Sequence, residues 1–463
     1  MTPKSLYILQ KTDYRKEMNS RLLVLGIIAV IIVAIASFYY GNPVQLVNVP
    51  LTSLQEKLSV YTLQNGMTVT IKEQHSLPLV TIQFWVHTGA RNEPDARRGI
   101  AHIFEHIWFK GTATQPVGSF HKRVESLGGE LNAMTSHDWT MYFVTVPSDK
   151  FNDIFPNMVD LLLHPSFDPI EIEKEKEVVV EEQRFSFNEP EKYLDDQFGL
   201  LLLDKSPYRN PVIGYKDTIL GTTREDIIQF YNTWYVPNNM NIVLVGDVNK
   251  EEILNDVKEA FKDFEKRELP AVNNPTEDPI LQPRYNSSYK DIGHTYIALG
   301  FTGPDSHDKD KYAMMMLNTI FSGGESSRLQ RIAKQQKNLI VKGNSVFVPL
   351  NDLGVFEVVA TVEPEKSGEA KTELILLLNK FKTEYVTDDE LERAKNSVRV
   401  SRVRAQEEVF NAGFEIGQAW TAGDINEYSE FINEVNKVTK EDIKNAAKKY
   451  FNSYTMYELK PKL

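Results

Sequence analysis

Apolar and polar positions alternate with period two across Ser59–Leu63 (SVYTL) and Thr68–Ile71 (TVTI), on either side of an Asn65-Gly66 turn. This pattern predicts paired strands that open a sheet. Leu79–His87 (LVTIQFWVH) continues the sheet, and an apolar helical run, AHIFEHIWFKGT (101–112), follows it. The spacing then predicts a helix near 120–127, strands across 130–147 and a helix across 151–163. A strongly charged helix follows from Ile170 to Phe185, then a buried-strand run over 241–246 and a helix from Lys250 to Phe264. The stretch ELPAVNNPTEDPILQPRY (268–285) has the proline-bearing, polar composition of a linker. Beyond it the theme returns, with strands at 294–301 and 354–362, helices at 310–320 and 366–385, and a terminal helix from Thr439 to Tyr450. TTREDIIQFYNTWYVPNN (222–239) parallels VTKEDIKNAAKKYFNSYT (438–455), so the chain reads as an internal duplication of an α+β unit.

One segment stands outside this scheme. Leu22–Tyr40 (LLVLGIIAVIIVAIASFYY) holds no charge, and at about 1.5 Å per residue it is long enough to cross a bilayer core. Lys4, Lys11, Arg15, Lys16 and Arg21 precede it, and no Lys or Arg follows until Lys57. The charge asymmetry expects residues 1–21 in the cytoplasm, 22–40 as an anchor, and everything after Gly41 outside, periplasmic or extracellular. A cleaved signal is the rival reading, since Ala34-Ile35-Ala36 has a small-x-small pattern, and it would make the protein secreted. The expected division is then a linker over 41–55, a first domain over 56–267, a linker over 268–284 and a second domain over 285–463.

Composition removes several function classes. The chain is 41% hydrophobic and 25% charged, as a folded globular protein is. A formal net charge of −12 argues against nucleic acid, which demands a basic face. There is no cysteine, so any bound metal must be held by nitrogen and oxygen. That gives weight to His102, Glu105 and His106, three polar side chains inside an apolar run. On a helix, i and i+4 lie one turn apart on one face, so two imidazoles can meet one ion, and the intervening Glu can reach a water beside it. The arrangement is the inverted form of the HExxH helix. The plainer reading is a satisfied polar knot in a core helix.

Two imidazoles leave a zinc ion one protein ligand short. The charged helix EIEKEKEVVVEEQRF (171–185) can supply a carboxylate, and Glu175 and Glu182, two turns apart, share a stripe with Val178 and Val179. Glu173, Glu177 and Glu181, with Lys174 and Lys176, read as a solvated face. Geometry on the sequence alone leaves Glu175 and Glu182 equivalent.

From residue 56 to the end the chain resembles the pitrilysin/insulinase family of inverted-zincin metallopeptidases, which includes mitochondrial processing peptidases. GARNEPDARRGIAHIFEHIWFKGT (89–112), GGELNAMTSHDWTMYFVTVP (128–147), EKEKEVVVEEQ (173–183), PYRNPVIGYKDTI (207–219) and FYNTWYVPNNMNIVLVGDV (230–248) carry the resemblance. It implies two homologous α/β-sandwich lobes, each a mixed sheet covered by helices, and one Zn²⁺ per chain. By the same match His102, His106 and Glu182 are the expected metal ligands, Glu105 the general base and Glu175 a carboxylate behind the ligands. Asn132 and Ala133 are expected on an edge strand that pairs with an extended peptide substrate. The implied activity is zinc-dependent hydrolysis of peptides or unfolded segments.

One departure concerns the second half. An Arg, with a Tyr seven residues on, often contacts substrate in the family, and ungapped alignment of SGGESSRLQRIAKQQKNLIVKGNS (322–345) puts Lys334 and Val341 there. Either this branch works without the pair, or a related partner chain carrying those donors supplies it; a homo- or heterodimer with a related peptidase-like chain is expected. The second half also lacks the HxxEH pattern, with His294 and His307 isolated, so it is expected to be the silent lobe of a clamshell. The alternative from another class is a non-catalytic, membrane-tethered scaffold or partner subunit.

Overall fold

A computed structural model describes residues 58–272 and 275–462. The expected anchor and the segments beside it lie outside these residues. Among the described residues, no helix is long and apolar enough to cross a membrane.

The first half builds a six-stranded sheet from β1 (Ser59–Thr62), β2 (Thr68–Glu73), β3 (Leu79–Val86), β4 (Glu130–Thr135), β5 (Thr140–Pro147) and β6 (Met240–Gly246), in the order β1-β2-β6-β3-β5-β4. Only β2 and β6 run parallel. The second half builds five strands, β7 (Arg284–Lys290), β8 (Thr295–Gly303), β9 (Lys342–Pro349), β10 (Gly354–Val362) and β11 (Thr455–Pro461), in the order β7-β11-β8-β10-β9. Here too one pair, β7 and β11, is parallel. Reading β2, β6, β3, β5, β4 against β7, β11, β8, β10, β9 superposes the two orders, which is the duplication in physical form.

The paired segments seen in the sequence account for part of this. Thr223 and Thr439 each cap a helix reciprocally with an aspartate three residues on, their hydroxyls accepting from Asp226 N at 3.1 Å and Asp442 N at 3.2 Å. The helices, Arg224–Trp234 and Lys440–Tyr450, run into β6 and β11 respectively.

Each sheet has one core of its own half and one lent by the other. The first sheet buries Phe84, Val86, Val144 and Ile242 against its own helices. Its opposite face, with Trp85, Met141, Phe143, Val243 and Val245, packs against Val409, Ala412 and Ile416 of the helix Val409–Thr421. Reciprocally, Leu194, Phe198 and Leu202 of the helix Pro190–Leu202 cover Ala298, Tyr457 and Leu459 on the second sheet. On the helix Val409–Thr421 Gly417 is required, since a Cβ would stand 1.9 Å from the Trp85 ring of the first sheet.

Candidate metal centre

The helix Ile100–Trp108, called here the motif helix, buries Ile100, Ala101, Ile103, Phe104, Ile107 and Trp108 and leaves His102, Glu105 and His106 on its remaining face. It begins at Gly99, whose φ of +98° is left-handed, and a Cβ at that point would meet Ile213 O at 2.6 Å. Glu93 closes the helix start: its carboxylate accepts from Gly99 N and Ala101 N, each at 2.8 Å. On one side the motif helix packs on β4, and on the other on the helix Pro169–Asn188, the acidic helix. Asp168 caps the acidic helix through the N–H groups of Ile170 and Glu171, and Pro169 occupies its first turn.

This packing separates the roles of the two glutamates. Glu182 Oε2 stands 3.9 Å from His102 Nε2 and 3.6 Å from His106 Nε2. Glu175 turns to the other side of the ring, with Oε2 at 3.1 Å from His106 Nδ1 and Oε1 at 2.7 Å from Lys110 Nζ. Val179 faces the core as the sequence predicts, but Val178 is 43% exposed. Lys176, read from sequence as part of a solvated face, is buried; its ammonium still reaches Glu173 at 2.9 Å, so the stem packs inward while the charge is paired outward.

Ligand atoms of His102, His106 and Glu182 all lie within 4.8 Å of one another, a group that can hold a metal ion. The carboxylate–imidazole separations are too long for hydrogen bonds, yet near the ~3.3 Å edge of a tetrahedron drawn with zinc–ligand lengths of about 2.0–2.1 Å. Burial, reinforced by His106, holds the His102 pKa down to about 3, which keeps that ring neutral and able to offer a lone pair. For His106 burial also pulls down, but the hydrogen bond to Glu175 and the charges of Glu182 and Glu105 outweigh it, and the net direction is upward. Burial lifts the Glu182 carboxyl, partly opposed by His106, while its side chain stays 43% open to solvent. Glu175 ends below its usual range despite burial, because His106 and Lys110 donate to it. The carboxylates of Glu175, Glu182 and Glu105 that draw His106 toward its charged form make the group a favourable place for a cation. The residues fit zinc.

Glu105 is half-buried on the same face, and desolvation raises its pKa against the opposing His106 charge and the Thr135 hydroxyl, which donates to Oε2 at 2.5 Å. Thr135 ends β4, the strand that carries Asn132 and Ala133. β4 pairs with β5 alone, so its other edge is open, and the Ala133 N–H is taken by its neighbour's Asn132 Oδ1 at 2.9 Å. Lys334 lies in a π-helical segment, Leu329–Gln336, and Val341 just before β9; both are exposed. Thr135, Lys110 and Glu93 escaped the sequence reading. Lys110 stands four residues after His106 and was within reach of helical spacing. Nothing local marks the other two, whose contacts depend on how β4 and the preceding loop fold back.

Two lobes of mixed sheet and helix, one bearing a two-histidine, one-glutamate group that could hold a metal ion beside an open sheet edge, define an α/β protein of duplicated design. The family described as Insulinase (Peptidase family M16) matches residues 68–214, and that described as Peptidase M16 inactive domain matches 222–398; the chain belongs to the insulinase family, peptidase family M16. An uncharacterized zinc protease of Rickettsia felis is 28% identical over 87% of this chain and 97% of its own. The crystal structure of a protease from Helicobacter pylori aligns with TM-score 0.83 and 27% identity, covering 88% of this chain and all of that one. The periplasmic protease PqqL of Escherichia coli shares the fold at TM-score 0.73 and 21% identity, and the match covers only 48% of its length.

Proposed function

We propose that this chain is a zinc-dependent metalloendopeptidase acting on peptides or unfolded segments, with the peptidase part outside the cytoplasm and tethered through residues 22–40. The observation that carries the reading is the convergence of His102, His106 and Glu182 beside Glu105 and the open edge of β4. His102, His106 and Glu182 would hold the zinc, and Glu175, backed by Lys110, fixes the His106 ring from behind. A zinc ion so held lowers the pKa of a water to about 7 and polarises a carbonyl. The rest falls to the chain. β4 takes the substrate backbone by strand addition around Asn132 and Ala133, which selects extended peptide more than sequence. Glu105 accepts the proton of the attacking water and returns it to the leaving amine. Its raised pKa suits that exchange, and Thr135 aims the carboxylate.

The relatives named zinc proteases support this activity, and PqqL, with about twice the matched length, supports a second unit closing over the solvent-open side of Glu182. We therefore read the working form as a dimer with a related chain that replaces the donors absent at Lys334 and Val341. Metal analysis of the full-length chain in detergent, with a peptide-digest assay before and after chelation, tests the reading. One zinc per chain and turnover lost on chelation and restored by zinc are expected; zinc without turnover in both the isolated chain and the complex recovered from membranes would overturn it.

A further inference from the structure

The hairpin turns that join β4 to β5 and β9 to β10 occupy equivalent places in the two lobes, and they meet. Each is a four-residue turn closed in the same way: Ser136 N donates to Trp139 O at 2.8 Å, and Leu350 N to Leu353 O at 3.0 Å. Each has an aspartate third, Asp138 and Asp352. Arg91 lies between them. Its Nε pairs with Asp138 at 3.1 Å and its Nη1 with Asp352 at 3.3 Å, with the Arg91 and Asp138 side chains only 9% and 7% exposed. The turns also touch directly, since Asn351 N donates to Asp138 Oδ2 at 3.1 Å, while Tyr208 OH donates to Asp138 Oδ1 at 2.5 Å. The Arg91 backbone is committed to the first turn as well: Ala90 N donates to Ser136 O and Arg91 N to His137 O, both at 3.0 Å. Gly89 permits that approach, because a Cβ there would stand 2.2 Å from Ser136 O.

Three residues before Asp138 is Thr135, the residue that holds Glu105. The strand that offers its edge to substrate is therefore pinned at one end by Arg91 to the other lobe. We infer that Arg91 is a positioning residue: by bridging Asp138 and Asp352 it sets the placement of β4, so the second lobe, which has no metal group among its described residues, governs how substrate is held. This rests on the peptidase reading above. A surface arginine–carboxylate pair contributes little, but the Arg91 and Asp138 charges are both buried, and the same guanidinium donates through Nη1 to Tyr208 OH and to Asp352 Oδ2, each at 3.3 Å.

Edge-strand contacts bind substrate and transition state alike, while Thr135 at the pinned end also aims Glu105, so loosening the joint should raise KM far more than it lowers kcat. The test is Asp352→Asn, which touches only the exposed partner (40% exposed) and leaves the Arg91–Asp138 pair in place. Arg91→Lys, which keeps the charge and loses the guanidinium, is the second variant. In the zinc-loaded full chain, KM for an extended peptide should rise about tenfold with kcat within about twofold. Amide exchange over residues 130–147 should quicken, more in Arg91→Lys. Unchanged exchange in both variants would overturn the inference, and so would quickened exchange with KM unmoved. Should the unaltered chain cleave no peptide, the peptidase reading falls, and the exchange measurement alone decides whether the joint sets β4.

Discussion

The first lobe and the second share strand order, one parallel pair each and matching helices, yet among the described residues only the first has a group that could hold a metal ion. The motif helix follows β3 in the first lobe; in the second, the helix after β8 is Asp310–Ser322, where Met314, Met316 and Leu317 are wholly buried. The acidic helix has its counterpart in Asp388–Glu407, also 20 residues long, whose Glu390 is spent on a two-pronged pair with Arg328 at 2.8 Å and 2.8 Å. The scaffold is thus indifferent to the metal group. A handful of side chains distinguishes the lobes, and removing them one at a time should turn the first lobe toward the second.

The largest effect belongs to Glu105. Glu105→Gln keeps the volume and cannot accept a proton, so turnover should fall about 10²–10⁴-fold with metal content unchanged. Metal analysis beside a peptide assay checks both halves; near-normal turnover would remove Glu105 as base. Next come the two glutamates of the acidic helix. Glu175→Gln should weaken zinc affinity about 10–100-fold, and Glu182→Gln more, because it loses a ligand and not a ligand's support. Competition against a chelator ranks them, and the reverse order would exchange their roles. Thr135→Val should do less: it keeps shape, drops the hydroxyl that lowers the Glu105 pKa, and moves the acid limb of the kcat/KM profile to higher pH. An unmoved limb would show that Thr135 leaves the base untouched.

The smallest effect separates the two lent helices. On Val409–Thr421, Glu415 pairs with Arg402 at 2.7 Å; on Pro190–Leu202, burial and the charge of Asp195 push the Asp196 carboxyl up to about 7. A carboxyl raised in the folded state from its ordinary 3.8 binds protons the unfolded chain has released. Its stabilising contribution is therefore full at low pH and is lost as pH rises toward 7. Asp196→Asn should flatten that decline in Tm, and an unchanged slope would place the effect elsewhere.

Much of this was legible in the sequence for a physical reason: the signals are local. Helical spacing placed His102, Glu105 and His106 on one face, alternation marked the strands of 130–147, and matched capping segments exposed the duplication. Glu175 and Glu182 could not be told apart because they share one stripe, and only docking on the motif helix points one at Nε2 and the other at Nδ1. β7, β9 and β11 passed unread, the first two polar-faced edge strands and the third a run whose buried Thr455 and Glu458 interrupt its apolar pattern. The lent helices and the Arg91 joint connect residues separated by hundreds of positions, and no local pattern announces such a meeting.

The exchange of helices also has a temporal side. During synthesis, the sheet of the first lobe is complete once β6 has emerged, but the helix that covers Trp85, Met141, Phe143, Val243 and Val245 begins roughly 160 residues later. At about 5–20 residues per second, that apolar face waits on the order of ten seconds for its cover. A nascent chain in this state offers a sticky sheet to its surroundings, so the protein's yield depends on what guards that surface until the ribosome reaches Thr421.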